Sequence, residues 1–225
     1  MFPSHDPDGN IRDKNPRTFA SLYQQRPAPS EGAIIKREWF GSFDKSKIET
    51  NSIRYNVRIY IDGAYTSDSN NDPSAIMVYY KYLDKIRILR SYQLWLEAPE
   101  LLKKIKDIIQ YHGILTHTRV MFEPKASGKT LKQMLRSSGI LADEDEAPKE
   151  GKQTRVELIT PFLERLQVEL PYDVEDQSWV SNLLDECVTF PGGRDDQVDC
   201  LSAICRIELM RNTPASISGY SAFNI

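Results

Sequence analysis

Apolar and polar residues alternate along VRIYID, residues 57–62: Val57, Ile59 and Ile61 are separated by Arg58, Tyr60 and Asp62, the period-two pattern of a half-buried strand. Asp62 ends the run and Gly63 breaks it. Two further strand-like runs follow at 74–82 and 86–95, joined by the hairpin-length link YLDK. The period then changes to that of a helix, with Leu101, Leu102, Ile105, Ile108 and Ile109 on one face and Gly113 as its stop. THTRVMFE predicts a fourth strand ending at Glu123, and KTLKQMLRSSG a short helix with Leu131, Met134 and Leu135 inward. DEDEAPKE, residues 143–150, reads as a charged loop without function, and KQTRVELITPFLERL as a helix that Pro161 kinks or breaks. LQVELP is a short fifth strand and DQSWVSNLLDECVTF a helix. A final helix runs from near Asp195 to about Arg211, with Val198, Leu201, Cys205 and Leu209 as its core stripe. This order predicts an α/β fold: a mixed β-sheet, a three-strand antiparallel meander extended by parallel strands, flanked by helices.

The two ends of the chain carry weaker patterns. Residues 1–50 are rich in Pro, Gly and charge and read as an arm or linker packing on the domain that follows. Within it Phe19, Leu22 and Tyr23 suit one helical turn, and AIIKREWFGSF suits an edge strand. Residues 51–213 are expected to form the main domain, and 214–225 a polar, flexible tail.

Composition narrows the class. The 225 residues are 40% hydrophobic and 10% aromatic, enough for a globular core. The chain carries no run of about eighteen apolar residues, so no membrane span is expected, and the first residues lack the apolar segment of a secretory signal. Cys187, Cys200 and Cys205 are an odd set without metal-ligand spacing, expected as reduced core residues of an intracellular protein. The net charge of −3 does not advertise nucleic-acid binding, but an enzyme that cuts DNA can be acidic where its acids are gathered for metal.

Three sets of acids are the candidate chemistry. Asp62 is either a turn residue or a placed charge; Asp68 and Asp72 lie in the polar loop after it. Glu123 ends a strand expected to neighbour that of Asp62. In GGRDDQVDCLSAI, Asp195, Asp196 and Asp199 share one face of the last helix's first turn. One or two such acids are ordinary helix capping; three repel one another and suggest a cation. Carboxylates at adjacent strand ends, with a third acid from a helix, suit two Mg²⁺ or Mn²⁺ ions about 4 Å apart, the arrangement that cleaves phosphodiesters.

EPKASGKT, residues 123–130, imitates a phosphate-binding loop but carries Glu123 where that loop needs its first glycine, so nucleotide binding is not expected. The basic residues around it, Arg119, Lys125, Lys129, Lys132 and Arg136, suit a DNA backbone.

In order and spacing these stretches resemble the nuclease domain of the large terminase subunit of tailed bacteriophages, over nearly the whole chain. IDGAYTSDSNNDPSAI is similar to the family's first acid motif, FEPKASGKTL to its second, and KQTRV followed by WVSNLLDECVTFPGGRDDQVDCLSAI to its third. The resemblance implies a ribonuclease H-like fold and a two-metal endonuclease that cuts concatemeric viral DNA at packaging. Asp62, Glu123 and one or both of Asp195 and Asp196 would be its metal ligands and catalytic acids. Asp199 would ligate directly, through water, or cap the helix. Lys152 and Arg155 match basic positions of the family. The implied partners are double-stranded DNA, a packaging ATPase domain, the portal and the small terminase subunit, in the host cytoplasm. The sequence departs from the family in carrying no packaging ATPase. A junction resolvase or a ribonuclease H acting on RNA/DNA hybrids would use the same fold and acids, and is the alternative.

Overall fold

The computed structural model describes residues 33–48, 53–63, 72–123, 128–146, 149–172 and 174–210. The helical turn expected at 19–23 and the tail lie outside them. Seven strands form one sheet: β1 (Gly41–Phe43), β2 (Arg58–Asp62), β3 (Ser74–Tyr82), β4 (Lys85–Leu94), β5 (Arg119–Phe122), β6 (Leu141–Glu144) and β7 (Val168–Pro171), in the order β1-β7-β4-β3-β2-β5-β6. β2, β3 and β4 are the antiparallel meander. β5 and β6 extend it in parallel beyond β2, while β7 and β1 do so beyond β4.

Five helices cover the sheet: α1 (Ala98–His112), α2 (Gly128–Ser137), α3 (Lys152–Glu164), α4 (Ser178–Thr189) and α5 (Asp196–Cys205). Ile59, Ile61, Ile76 and Val78 pack with Leu101, Ile105 and Ile109 of α1 and Leu131 and Leu135 of α2. On the opposite face Tyr60, Ala75 and Met77 pack with Val156 and Ile159 of α3, Leu183 of α4 and Leu201 and Ile204 of α5. β2 is therefore buried on both faces, not half-buried: Tyr60 and Asp62, the polar half of its alternation, are turned toward α5 and covered by it. This parity positions the chemistry, because Asp62 faces the helix that carries the other acids.

The structure differs from the sequence expectation at three other places. Asp143 and Glu144 belong to edge strand β6, and Asp145 is buried, so the charged run is not a loop there. Its acids meet bases already in place: Arg119 and Arg136 bind Asp143, and Arg206 binds Asp145. Pro161 does not end α3, which continues to Glu164. Proline removes the N–H that would reach the Glu157 carbonyl, but the Thr160 hydroxyl donates to that oxygen at 2.9 Å. The last helix gives way at Arg206–Met210 to a wider π-helical turn.

The segment read as an arm contributes to the sheet. β1 pairs with β7 at one edge, and Ile35, Phe40 and Phe43 are buried in the two cores. The three cysteines are buried and unpaired in disulfides. Among the described residues no helix is long and apolar enough to cross a membrane.

Candidate metal centre

Parallel pairing sets the first two acids side by side. Ile61 of β2 lies opposite Phe122 of β5, and the Glu123 amide donates to the Ile61 carbonyl at 3.3 Å, so Glu123 leaves its strand beside Asp62. Met121, two residues before Glu123, packs on the α3–α5 core, so the parity of β5 directs Glu123 to the same face as Asp62. Asp195 is the N-cap of α5; its carbonyl accepts from the Asp199 amide at 2.8 Å. Asp196 opens the helix and Asp199 lies one turn further in, with both residues 8% exposed.

Two bases of α3 stand among these acids. Lys152 Nζ lies 2.6 Å from Asp195 Oδ2 and 2.7 Å from Asp199 Oδ2. Arg155, three residues on and thus on the same side of α3, lies 3.4 Å from Asp199 Oδ1 and 3.7 Å from Glu123 Oε1. Glu123, Asp195 and Asp199 thus converge on the two bases, and the charge of Asp62 is felt at Asp199. Asp196 joins them by charge: burial raises its carboxyl to about 6, helped by the negative charges of Asp72, Glu186, Asp62 and Asp195. Burial raises Asp199 too, against the opposing hydrogen bond from Lys152 and the charges of Lys152 and Arg155. Burial disfavours the Lys152 ammonium, but its hydrogen bonds to Asp195 and Asp199 prevail and its pKa is raised.

The donor set fits a hard divalent cation. Every candidate ligand is a carboxylate oxygen, the chemistry Mg²⁺ and Mn²⁺ select. Asp199 Oδ1 is buried and accepts no hydrogen bond within the protein. Among the described residues no three such groups close to coordination distance, and Lys152 stands between Asp195 and Asp199.

The sequence reading passed over the residue that aims this helix. Glu186 of α4 is 8% exposed, and its Oε1 accepts from the Gln197 amide at 2.6 Å and the Val198 amide at 3.3 Å. Its Oε2 accepts from Gln197 Nε2 at 2.7 Å and Gln93 Nε2 at 2.9 Å. A carboxylate borrowed from another helix therefore caps the N-terminus of α5, which fixes where Asp196 points. The one available signal was an acid among the core-facing positions of WVSNLLDECV. Asp145 was missed as well. It lies beside Glu123, its amide donating to the Phe122 carbonyl at 2.9 Å, and its carboxylate takes the Tyr60 hydroxyl at 3.3 Å.

The expected basic patch is partly answered within the protein. Lys132 lies 3.4 Å from Glu144, and Arg136 lies 2.8 Å from Asp143 with more than half its side chain exposed. Lys125 and the side chain of Lys129 lie outside the described residues, as does Asp68.

No family model and no curated protein matches the sequence. Solved structures do. The human cytomegalovirus terminase nuclease domain, soaked with manganese and inhibitor-bound, superposes with a TM-score of 0.55 at 14% identity, over 79% of this chain and 98% of that one. The large terminase nuclease of thermophilic phage G20c with bound zinc gives 0.54 at 18% identity, over 78% and 96%. The chain has the ribonuclease H-like fold of terminase nuclease domains. The large terminase of thermophilic bacteriophage D6E gives 0.60 at 11% identity over 91% of this chain, which spans only 52% of that protein.

Proposed function

We propose that the protein is a metal-dependent endonuclease that cuts double-stranded DNA by two-metal phosphodiester hydrolysis, in the setting of viral genome packaging. One observation carries the reading: the ends of β2 and β5 bring Asp62 and Glu123 to the N-terminus of α5, where Asp195, Asp196 and Asp199 stand. Asp62, on the strand between the meander and the parallel extension, would bridge two Mg²⁺ or Mn²⁺ ions. Glu123 would hold one of them and Asp196 would close the site, with Asp195 and Asp199 as further ligands. Bound there, the ions supply an activated water and neutralise the leaving oxygen.

The acids alone would repel a DNA backbone. Lys152 and Arg155 answer part of that charge beside them, and Lys125, Lys129, Lys132 and Arg136 would extend the contact to phosphates further along the duplex. Residues 51–213 would be the body of the nuclease domain, with β1 of the segment 1–50 completing its sheet and 214–225 as a tail. The packaging ATPase, portal and small terminase subunit of the viral assembly machinery, in the host cytoplasm, would be its partners.

The test is conversion of supercoiled plasmid with Mg²⁺ or Mn²⁺, beside RNA/DNA hybrid and four-way-junction substrates. Cutting of plasmid that stops in EDTA and in Asp62→Asn is the expected result. Preference for a hybrid or junction over linear duplex would move the protein to the alternative reading, and cutting that persists in EDTA would refute it.

A further inference from the structure

The two bases of the acid cluster are held differently. Arg155 is only 16% exposed, its Nε is buried, and its acid contacts are long, at 3.4 and 3.7 Å. Packing holds it in place. Lys152 is 37% exposed, sits at the first residue of α3, and is held at 2.6 and 2.7 Å by two carboxylates. A flexible four-carbon stem with one face in water can leave by a rotamer change, whereas a buried guanidinium cannot.

The contacts of Lys152 use Oδ2 of both Asp195 and Asp199, oxygens of two carboxylates that the nuclease reading gives to a divalent cation. An ion bound at the ~2.0–2.1 Å typical of Mg²⁺ on those oxygens would leave it and the ammonium as like charges a few ångströms apart. The two cations are therefore competitors. Asp196 adds a buried acid beside Asp195 and Asp199, so a divalent cation is offered more carboxylate than Lys152 engages.

From this geometry we infer that Lys152 is an exchangeable counter-ion: it neutralises Asp195 and Asp199, gives them up when a divalent cation binds, and turns its ammonium outward to a DNA phosphate. The inference rests on the nuclease reading and adds a consequence to it. Cation and DNA binding are coupled, because a cation frees a base for the backbone and DNA holds that base away from the acids.

Two measurements on the full chain test it. The first is Mn²⁺ affinity without DNA, by calorimetry, for wild type, Lys152→Met, Lys152→Gln and Asp62→Asn. Loss of the competitor should tighten binding roughly three- to tenfold in both Lys152 variants, the scale of a partly exposed ion pair. Melting in EDTA identifies any variant that fails to fold. The second is acetylation of Lys152 by a small amine-reactive reagent, read by mass spectrometry against exposed Lys103. Mg²⁺ should raise labelling at Lys152 and leave Lys103 unchanged.

Unchanged Lys152 labelling with Mg²⁺ overturns the exchange, even if the affinity rises, because the lysine would then only be a repulsive neighbour. Wild type that binds Mn²⁺, loses it on Asp62→Asn and is unaltered by either Lys152 substitution overturns the counter-ion and leaves the nuclease reading standing. Wild type that binds no Mn²⁺ overturns both.

Discussion

The two ends of β2 place charge in opposite ways. At its start Arg58 is paired with Glu208, whose side chain is 2% exposed. The Tyr79 hydroxyl donates to the same carboxylate at 3.1 Å, and Lys81 Nζ to the Glu208 carbonyl at 2.8 Å. One acid meets a surplus of donors. Four residues later, at Asp62, acids gather from β2, β5 and α5, and Lys152 and Arg155 of α3 lie against Glu123, Asp195 and Asp199. Both ends lie on the face covered by α5 and its π-helical extension. Burial alone therefore does not separate a structural polar group from a functional one. The sign of the gathered charge does, because a protein gains nothing in stability from packing acids together where burial, and then their repulsion, raises one carboxyl to about 6.

The largest expected effect tests this contrast directly. Asp62→Asn and Asp196→Asn should each lower plasmid cleavage by on the order of 10²–10³-fold, as removal of an electrostatic group from a reacting centre does. Their melting temperatures in EDTA should be equal to wild type or higher, since each substitution relieves repulsion. A normal cutting rate for Asp62→Asn would make that residue a turn former and dissolve the distinction.

At the other end the signs reverse. Glu208→Ala leaves the Tyr79 hydroxyl unpartnered and Arg58 without its carboxylate. Because Arg58 keeps 41% of its side chain in solvent, the cost should fall at or below the low end for a broken buried pair, about 2–3 kcal/mol. Urea unfolding measures the loss. Cutting per folded molecule, at a temperature where the variant stays folded, should be retained. A variant as stable as wild type would mean that Glu208 is not held as its contacts indicate.

Much of this was legible in the chain because the relevant signals are local. Alternation gave the meander, and Glu123 and Asp62 stood out as acids at the ends of apolar runs. What was hidden depends on parity and pairing across long separations. That Asp145 is buried follows only from Arg206, 61 residues away, and Tyr60, 85 residues away. That Glu186 caps α5 follows only from the packing of α4 against it. Of the kink or break expected at Pro161, the break does not occur, because the Thr160 hydroxyl supplies a local hydrogen bond that a rule about proline does not include.

A smaller effect is expected in the pH dependence of metal-free stability. Asp196 has a folded pKa near 6 against an ordinary 3.8, so between those values the folded state holds more protons than the unfolded one. Its contribution to stability therefore falls as pH rises from about 4 to about 6. His112 works against it: burial lowers its pKa to about 4, so its contribution improves as pH rises from about 4 to about 6.5. The Asp196 effect is isolated by subtraction. In EDTA, Asp196→Asn should gain stability over wild type as pH goes from 4 to 6, and Mg²⁺ should shrink that gain by stabilising wild type alone. A difference that does not change with pH would show that Asp196 keeps its ordinary carboxyl pKa in the folded state, in an environment wetter than its 8% exposure implies.

The smallest effect asks whether the two ends of β2 are independent. Tyr79 on β3 pairs with Arg58 on β2, and its hydroxyl bonds Glu208. Tyr79→Phe removes that one hydrogen bond and no packing volume, and Arg58 remains to hold the carboxylate. The cost should be about 1 kcal/mol, the net worth of a neutral donor to a charged acceptor with another partner in place. If the strand only carries its two clusters, the same loss is expected with and without Mg²⁺, because no cation reaches Glu208. Equal shifts of the urea midpoint in EDTA and in Mg²⁺ would establish that separation. A loss that appears in EDTA and vanishes in Mg²⁺ would mean that the charge at Asp62 is felt at Arg58 along β2, and that the two ends belong to one electrostatic unit.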